Sequence, residues 1–443
     1  MDWKNHLYRV GSNERADDEL PTDPKELQAF EKQCRKHIEP WLSAVFQSEH
    51  LALLLGSGFT TGIGYVAGST ATGMGTIKFG THFDAQIDAH AKESAKLANR
   101  GEANIEDQLR SALALLEGLK VMKSDDDAKS LRDALNLKLK HFFLSLLATE
   151  RGIVASGNAD KMILAERYLV SFLMSFASRA ASRERLSIFT TNYDRLIEHG
   201  CDLAGLRLID RFVGSLNPVF RSSRVEVDVH YNPPGIRGEP RYLEGVVRLT
   251  KLHGSIDWRL ENRILRRIGI PFGAPDNHSD VPSAPLETVM IYPNPAKDME
   301  TTEYPYAELF RDFAAAACRP NSVLVIYGYG FGDDHINRVL EDMLTIPSTH
   351  LVVIAHGDSG GRVGNFCEKT GRTAQISILL GSHFGELTTL VDQYLPKPAI
   401  DYISSRKTEI LKSRGEGFVS ADREDDKTAD EAAGATETRE SKG

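Results

Sequence analysis

Cysteine is scarce in this 443-residue chain, and the four present (Cys34, Cys201, Cys318 and Cys367) lie far apart, none in a short metal-ligand spacing. That excludes a disulfide-stapled scaffold and predicts reduced thiols, no disulfide and no zinc. No apolar run is long enough to span a bilayer, and the opening stretch MDWKNHLYRVGSNERADDEL lacks the apolar core of a signal peptide. A cytoplasmic protein with no membrane partner is expected. An excess of positive charge is missing as well. The formal net charge of -9 argues against a chain whose main task is to neutralise phosphates along a duplex, so no direct sequence-specific nucleic-acid binding is expected. Nor is there an internal repeat of fixed period.

What is present is enough apolar material, 41% of residues, for one large α/β core with additions or for two domains. Thr22 to Phe46 reads as a helix capped by Asp23, with Pro24 at its first position and Glu26 reaching back; Pro40 is expected to kink or end it. Leu51 to Leu55 is a continuous apolar run before Gly56, as in a parallel strand buried on both faces, and is read as the first strand of the sheet. From Phe83 to Leu186 the period turns helical. Leu109, Ala112, Leu113 and Leu116 share one stripe, and Ala165, Leu169, Phe172, Leu173 and Phe176 another.

Ser187 to Thr191 reads as a second strand, followed by a short helix over Arg195 to Gly205, and Val246 to Leu252 as a third strand ending at His253. Arg207 to Glu244, polar and rich in Pro and Gly, reads as strands and loops of a smaller module. Three later apolar runs are Ser322 to Phe331, His350 to Gly357 and Ala374 to Phe384. Strands alternating with helices predict an α/β fold, a Rossmann-like doubly wound parallel sheet with a helical insertion and a smaller module. The expected layout is an arm and helix over 1–48 and a main domain over 49–392, with the insertion at 83–186 and the smaller module at 206–300. A terminal segment follows over 393–412, and beyond Lys412 a tail poor in aromatics, 413–443, is expected to be disordered.

Open sheets of this kind bind ligands outside the carboxyl ends of their strands, and three polar segments sit there. In LLLGSGFTTGIG, Gly56, Ser57, Gly58 and Thr60 form a turn whose glycines let the backbone approach a pyrophosphate. The spacing of Gly56, Gly58 and Gly62 departs from the dehydrogenase fingerprint, and Asp84, the later acid, falls in a helical stretch, so a hydride-transfer enzyme is disfavoured. In SIFTTNYD, Asn192 donates and accepts hydrogen bonds without adding charge, and Asp194 either caps the following helix or accepts from a ligand. His253 is of the residue type that serves as a base near neutral pH. An Asn after two threonines is often only a turn former, and one His among fourteen is more often structural. The three gain weight together because each lies just past a predicted buried strand. Gly328 to Asn337 is a second glycine turn, with Asp333 placed to cap a helix through Leu344. Asp333, Asp334 and His335 are neighbours on a helix start and do not converge on a metal.

GSGFT, TTNYD, LHGS and YGYGFGDDHIN, in this order over roughly residues 50 to 390, resemble the sirtuin superfamily, specifically the sirtuin-like NAD hydrolases of bacterial antiphage defence. The resemblance implies Asn192 and His253 as catalytic pair and Asp194 as a nicotinamide-side contact. It also implies a dinucleotide cradle of Gly56, Ser57, Gly58, Thr60 and Thr191 with Gly328, Tyr329, Gly330 and Phe331. NAD is then the substrate, cleaved to nicotinamide and ADP-ribose. Breaking that bond needs no general acid, because a cationic group departs neutral; it needs a desolvated pocket, an oriented acceptor and a base. Two departures from the deacylases matter: Arg259 to Thr288 holds none of their zinc-binding cysteines, and GIGYVAGST lacks the acid and arginine that follow their glycine turn. Water is the acceptor these departures favour. The resemblance further implies NAD depletion during infection, a homo-oligomer, and a HerA-type hexameric ATPase as partner. The alternatives are a protein deacylase or ADP-ribosyltransferase, and a catalytically silent NAD or ADP-ribose sensor. Ser382, His383 and Glu386 are weak candidates for adenine contacts, and the choice between NAD and NADP stays open.

Overall fold

The structure, a computed structural model, describes residues 3–397 apart from 72, 74, 98–101, 156, 180–182, 224–227, 232–240, 263 and 292–303. The tail expected over 413–443, and the 393–412 segment beyond 397, lie outside the described residues. Among these, no helix is long and apolar enough to cross a membrane.

The chain begins with a hairpin, β1 (His6–Val10) and β2 (Asn13–Asp17), followed by helix α1 (Pro24–Phe46), strand β3 (His50–Leu55) and helix α2 (Ser57–Ala67). Helices α3 (Asp84–Leu97), α4 (Ile105–Val121), α5 (Asp125–Val154) and α6 (Ala159–Ala177) lead to β4 (Ser187–Thr190) and α7 (Leu196–Leu203). Next come β5 (Arg207–Ile209), β6 (Phe212–Val213), β7 (Val219–Phe220), β8 (His230–Tyr231), β9 (Arg241–Tyr242), β10 (Val246–Lys251), β11 (Gly254–Glu261), β12 (Ile264–Arg267) and β13 (Val289–Ile291). The last strands are β14 (Ser322–Tyr327), β15 (His350–Ala355) and β16 (Ile376–Leu380).

The central sheet has the order β2-β1-β16-β15-β14-β3-β4-β10-β5. From β16 to β5 every neighbouring pair is parallel. The alternation of side chains along β3 explains its unbroken apolar sequence: Leu51, Leu53 and Leu55 enter one core, Ala52 and Leu54 the other. On the first face lie α1, α2, α6 and α7; on the second lie helices Tyr306–Ala317, Asp334–Leu344 and Arg362–Thr370. Strand β3 is followed by β4 on one side of it, and after β10 the chain returns to β14 on the other. This reversal opens a crevice at the carboxyl ends of β3 and β14, the position a doubly wound sheet offers a ligand.

Two expectations are corrected. Strand β3 is not the first of the sheet, because β1 pairs antiparallel with β16 and buries Leu7 on one face and Tyr8 and Val10 on the other. Pro40 does not end α1, which runs on to Phe46; Ile38, Leu42 and Phe46 stay buried in one stripe, and that packing offsets a cost of roughly 3 kcal/mol for an interior proline. Within the 206–300 stretch, β13, β11, β12, β7 and β6 form a second sheet in that order, while β5 and β10 belong to the central sheet. Of the helices at 83–186, α6 packs on the central sheet, and α3 to α5 build a third apolar cluster with Tyr193, Ile256 and Ile270.

Gly381 carries β16 past the hairpin with φ +118°, and a Cβ there would lie 2.2 Å from Asn5 O. Gly381→Ala is expected to destabilise the protein by roughly 2–3 kcal/mol, read as a lower midpoint in urea denaturation.

Candidate functional site

The two glycine turns touch backbone to backbone. Gly56 N donates to Tyr327 O (3.0 Å) and Gly58 N to Gly328 O (2.9 Å). A Cβ on Gly56 would sit 2.4 Å from Gly328 O, and one on Gly58 would sit 2.6 Å from Gly328 Cα. Gly328 itself has φ +67°. The demand for glycine therefore comes from the contact between β3 and β14 turns, and the Gly56 and Gly58 amides are used inside the protein rather than held open for a pyrophosphate.

This contact fixes the base on which Asn192 rests. Asn192 Nδ2 donates to Gly56 O (2.9 Å) and to Thr60 Oγ1 (3.0 Å). The Thr60 hydroxyl donates in turn to Asp194 Oδ2 (2.8 Å), and Asp194 Oδ1 accepts from Leu196 N (3.1 Å) at the start of α7. Both Asp194 oxygens thus have partners, so from the residue before the N-cap Arg195 it receives the first amide of α7 and orients Thr60 and Asn192 through the chain of bonds. Asn192 Oδ1 has no partner among the described residues, which leaves it as an acceptor for a ligand.

His253 stands where the chain leaves the central sheet and enters the second one, between β10 and β11, with Gly254 at φ +88° making the bend. Leu252 N donates to Thr190 O (2.8 Å) and Ile256 N to Tyr193 O (3.1 Å), which ties this bend to the Asn192 loop. His253 Nε2 pairs with Asp333 Oδ2 at 2.9 Å. The sequence pointed to Asp333 as a helix cap, and it is one, since Oδ1 accepts from His335 N (3.1 Å); its second oxygen holds the histidine, a role the capping reading hid. Phe331, two residues before Asp333, has φ +53°, a conformation supported by Asn337 Nδ2 donating to its carbonyl (3.1 Å).

Asn192, His253 and Asp333 line one cavity of about 410 Å³ at the switch point. Ser57, Thr60, Thr191, Asp194, Gly328, Tyr329 and Gly330 line it as well. Gly56 and Phe331 do not; the Phe331 ring is turned away against Phe366, with centroids 4.8 Å apart. A second cavity of about 860 Å³ adjoins the first along Ser57, Thr61, Gly328, Tyr329, Gly330 and Arg362. Gly58, Ser382, His383 and Glu386 line this second space. The sequence offered no sign of the wall contributed by the insertion, which is Glu102, Asn104 and Glu106 at the start of α4 and Phe142, Leu146 and Thr149 on α5. Tyr193 Oη donates to Glu106 Oε1 (3.2 Å), and its ring centroid lies 6.2 Å from that of His253. Burial, and then Glu106, push the Tyr193 hydroxyl well above the ordinary tyrosine value, so it stays a neutral donor.

Residues 186–372 match the model of the SIR2-like domain. No curated protein matches the chain. The match covers less than half of the chain but includes Asn192, His253 and the Gly328 to Asp333 turn, and the central sheet agrees with the sirtuin-like, Rossmann-type fold. It fits, in broad terms, an activity that uses NAD.

The SIR2-like segment is fastened to the insertion by a buried ion pair. Arg195 Nη2 donates to Glu150 Oε2 (2.6 Å), and Arg195 N and Nε both donate to Glu150 Oε1 (2.9 and 3.1 Å). Gly273 N also donates to Glu150 Oε2 (2.9 Å), and Arg195 reaches the carbonyls of Ile270 and Pro271. Burial pushes the Glu150 carboxyl up from its ordinary value, against the pull of Arg195. Glu150→Ala is expected to cost about 3–5 kcal/mol, because it strands a buried guanidinium; the midpoint of thermal or urea unfolding measures it.

Proposed function

We propose that the chain is an NAD glycohydrolase, which transfers the ADP-ribosyl group of NAD to water. The observation that carries this reading is the meeting of Asn192 and His253 on one cavity, each with its orientation fixed by protein partners, inside a domain that matches the SIR2-like family. The C1′–N bond to nicotinamide breaks with its electron pair passing to the ring nitrogen, so the cation leaves as a neutral amide and needs no proton. A water oxygen bonds C1′, and the proton it gives up goes to His253. With Nε2–H donated to Asp333, Nδ1 carries the lone pair for that proton, and the Asp333 carboxylate stabilises the imidazolium that forms. Asn192 Oδ1 orients the water or a ribose hydroxyl. Phe142, Leu146 and the neutral Tyr193 provide walls that keep bulk water from an oxocarbenium-like ribose, while Glu106 favours the positive charge it carries.

The rest of the dinucleotide follows the cavities. A diphosphate crossing their shared edge would meet Arg362, whose Nε has no hydrogen-bond partner among the described residues, and the adenosine half would enter the second cavity. Residues 259–288 carry no cysteine, and water is the acceptor proposed rather than an acylated peptide. Unchecked NAD hydrolysis would harm a host cell, so the proposal extends to antiphage defence with activity gated by self-assembly or by a partner of the HerA-type ATPase class. The insertion supports this extension, since α4 and α5 wall the cavity and a contact on them would reach the site.

Chromatographic quantification of nicotinamide and ADP-ribose tests the reaction. Asn192→Ala is expected to abolish both products with the circular dichroism spectrum unchanged, and Asp333→Asn to lower kcat by about 10²-fold. Turnover retained in Asn192→Ala overturns the mechanism. For the gate, rates are compared across protein concentrations and with lysate from phage-infected cells; a rate indifferent to both overturns it.

A further inference from the structure

The second cavity contains a carboxylate that the proposed hydrolysis does not use. Resting on the NAD reading above, we infer that Glu386 reads the ribose hydroxyls of the adenosine half and rejects a dinucleotide phosphorylated at the 2′ position. The chain is thereby selective for NAD over NADP.

The position of the reacting bond sets the direction of the ligand. With C1′ of the nicotinamide ribose between Asn192 and His253, the diphosphate lies along Gly328 to Gly330 beside Arg362, and the adenosine ribose comes next, inside the second cavity. Glu386 is the only carboxylate among the described residues lining that space. It follows β16 directly, past the short turn at Ser382–Gly385, and so projects from a strand end of the central sheet. Its Oε2 accepts from Thr389 Oγ1 (2.7 Å), which fixes the side chain, while Oε1 has no partner among the described residues. A carboxylate held by one oxygen and open at the other suits a ribose diol, whose two hydroxyls donate to it. The charge acts inside the cavity: after burial, Glu386 is the group that raises the hydroxyl of Tyr327, another lining residue.

A 2′-phosphate meets the opposite situation. It brings a charge of about -1.5 to -2 near a fixed carboxylate. The lining holds few cations to receive it. Arg362 stands at the diphosphate edge, and His383, its value lowered to about 4 by burial, is neutral and bonded to Tyr394 Oη (2.8 Å). His356 is the remaining imidazole of the lining and is exposed.

The experiment measures kcat/KM for NAD and NADP with the wild-type chain, Glu386→Gln, Glu386→Arg and a His356→Ala control. Beside it, calorimetric titrations of NAD and NADP are run into Asn192→Ala and its Glu386→Arg double variant, which report discrimination without turnover. The wild type is expected to favour NAD on the order of 10²-fold, Glu386→Gln to reduce that preference about tenfold, and Glu386→Arg to remove or invert it. His356→Ala should leave the ratio unchanged. Equal use and equal binding of the two dinucleotides by the wild type overturns the inference, as does a ratio that Glu386→Arg does not move. Discrimination in the titrations without cleavage in any variant, with lysate from phage-infected cells added as well as without it, supports the role of Glu386 while it overturns the hydrolase reading; binding of neither dinucleotide overturns both.

Discussion

The contact between two backbone turns, Gly56 to Gly58 on Gly328, sets the distances on which the site depends. A helix start and a strand end can approach this closely only where neither carries a Cβ, because any side chain there would fall within 3 Å of backbone atoms. The consequence is passed on by hydrogen bonds of ordinary length. Gly56 O holds the Asn192 amide, Thr60 on the same turn holds both Asn192 and Asp194, and the loop that opens at Gly328 carries Asp333 to His253. Asn192 and His253 are far apart along the chain, and what relates them in space is this shared floor rather than any direct bond between them.

A second constraint acts from above. Helices α3 to α5 have their own apolar cluster, and they are joined to the loop below by Glu150 and Arg195, a pair whose partial neutralisation by mutual hydrogen bonding makes its burial tolerable. Because Arg195 follows Asp194 in sequence, the anchoring of the insertion and the orientation of Asn192 are set within four consecutive residues. The site thus lies between the floor of the glycine turns and a wall that is attached at an identifiable point. Movement of α5 would be felt at Arg195 and at the cavity wall together.

How much of this was legible in the sequence varied with the range of the interaction. Strand β3 announced itself because a parallel strand buried on two faces has an unbroken apolar run, and LALLL before glycine has no good helical alternative. The strand-end rule then marked Asn192 and His253, whose side chains share a cavity in the structure. Three things were hidden. The β1–β2 hairpin alternates too weakly over five residues to be distinguished from an arm, and its place is decided by β16, more than 350 residues later. Asp333 satisfied a local rule, helix capping, so nothing local pointed to its second partner 80 residues away. Glu106, Phe142 and Leu146 sit on amphipathic helices where an apolar or acidic residue is unremarked, and only the fold turns them toward the cavity. The glycines of the first turn were marked correctly as special, but for a ligand's approach, when the nearer reason is another piece of backbone.

The order of the central sheet has a further bearing on the segment that resembles a known domain. Residues 186–372 contribute β4, β5, β10, β14 and β15, yet β3 lies between β14 and β4, and β16 flanks β15. Cut out at those borders, the segment would be two half-sheets with no common strand. The inner edges of β4 and β14 would be left as apolar rows of unpaired amides and carbonyls, the kind of edge that recruits other chains. The similarity detectable along the chain therefore does not coincide with a unit of folding. The detected similarity sits in one stretch, whereas the strand that makes that stretch a single body comes from the sequence before it.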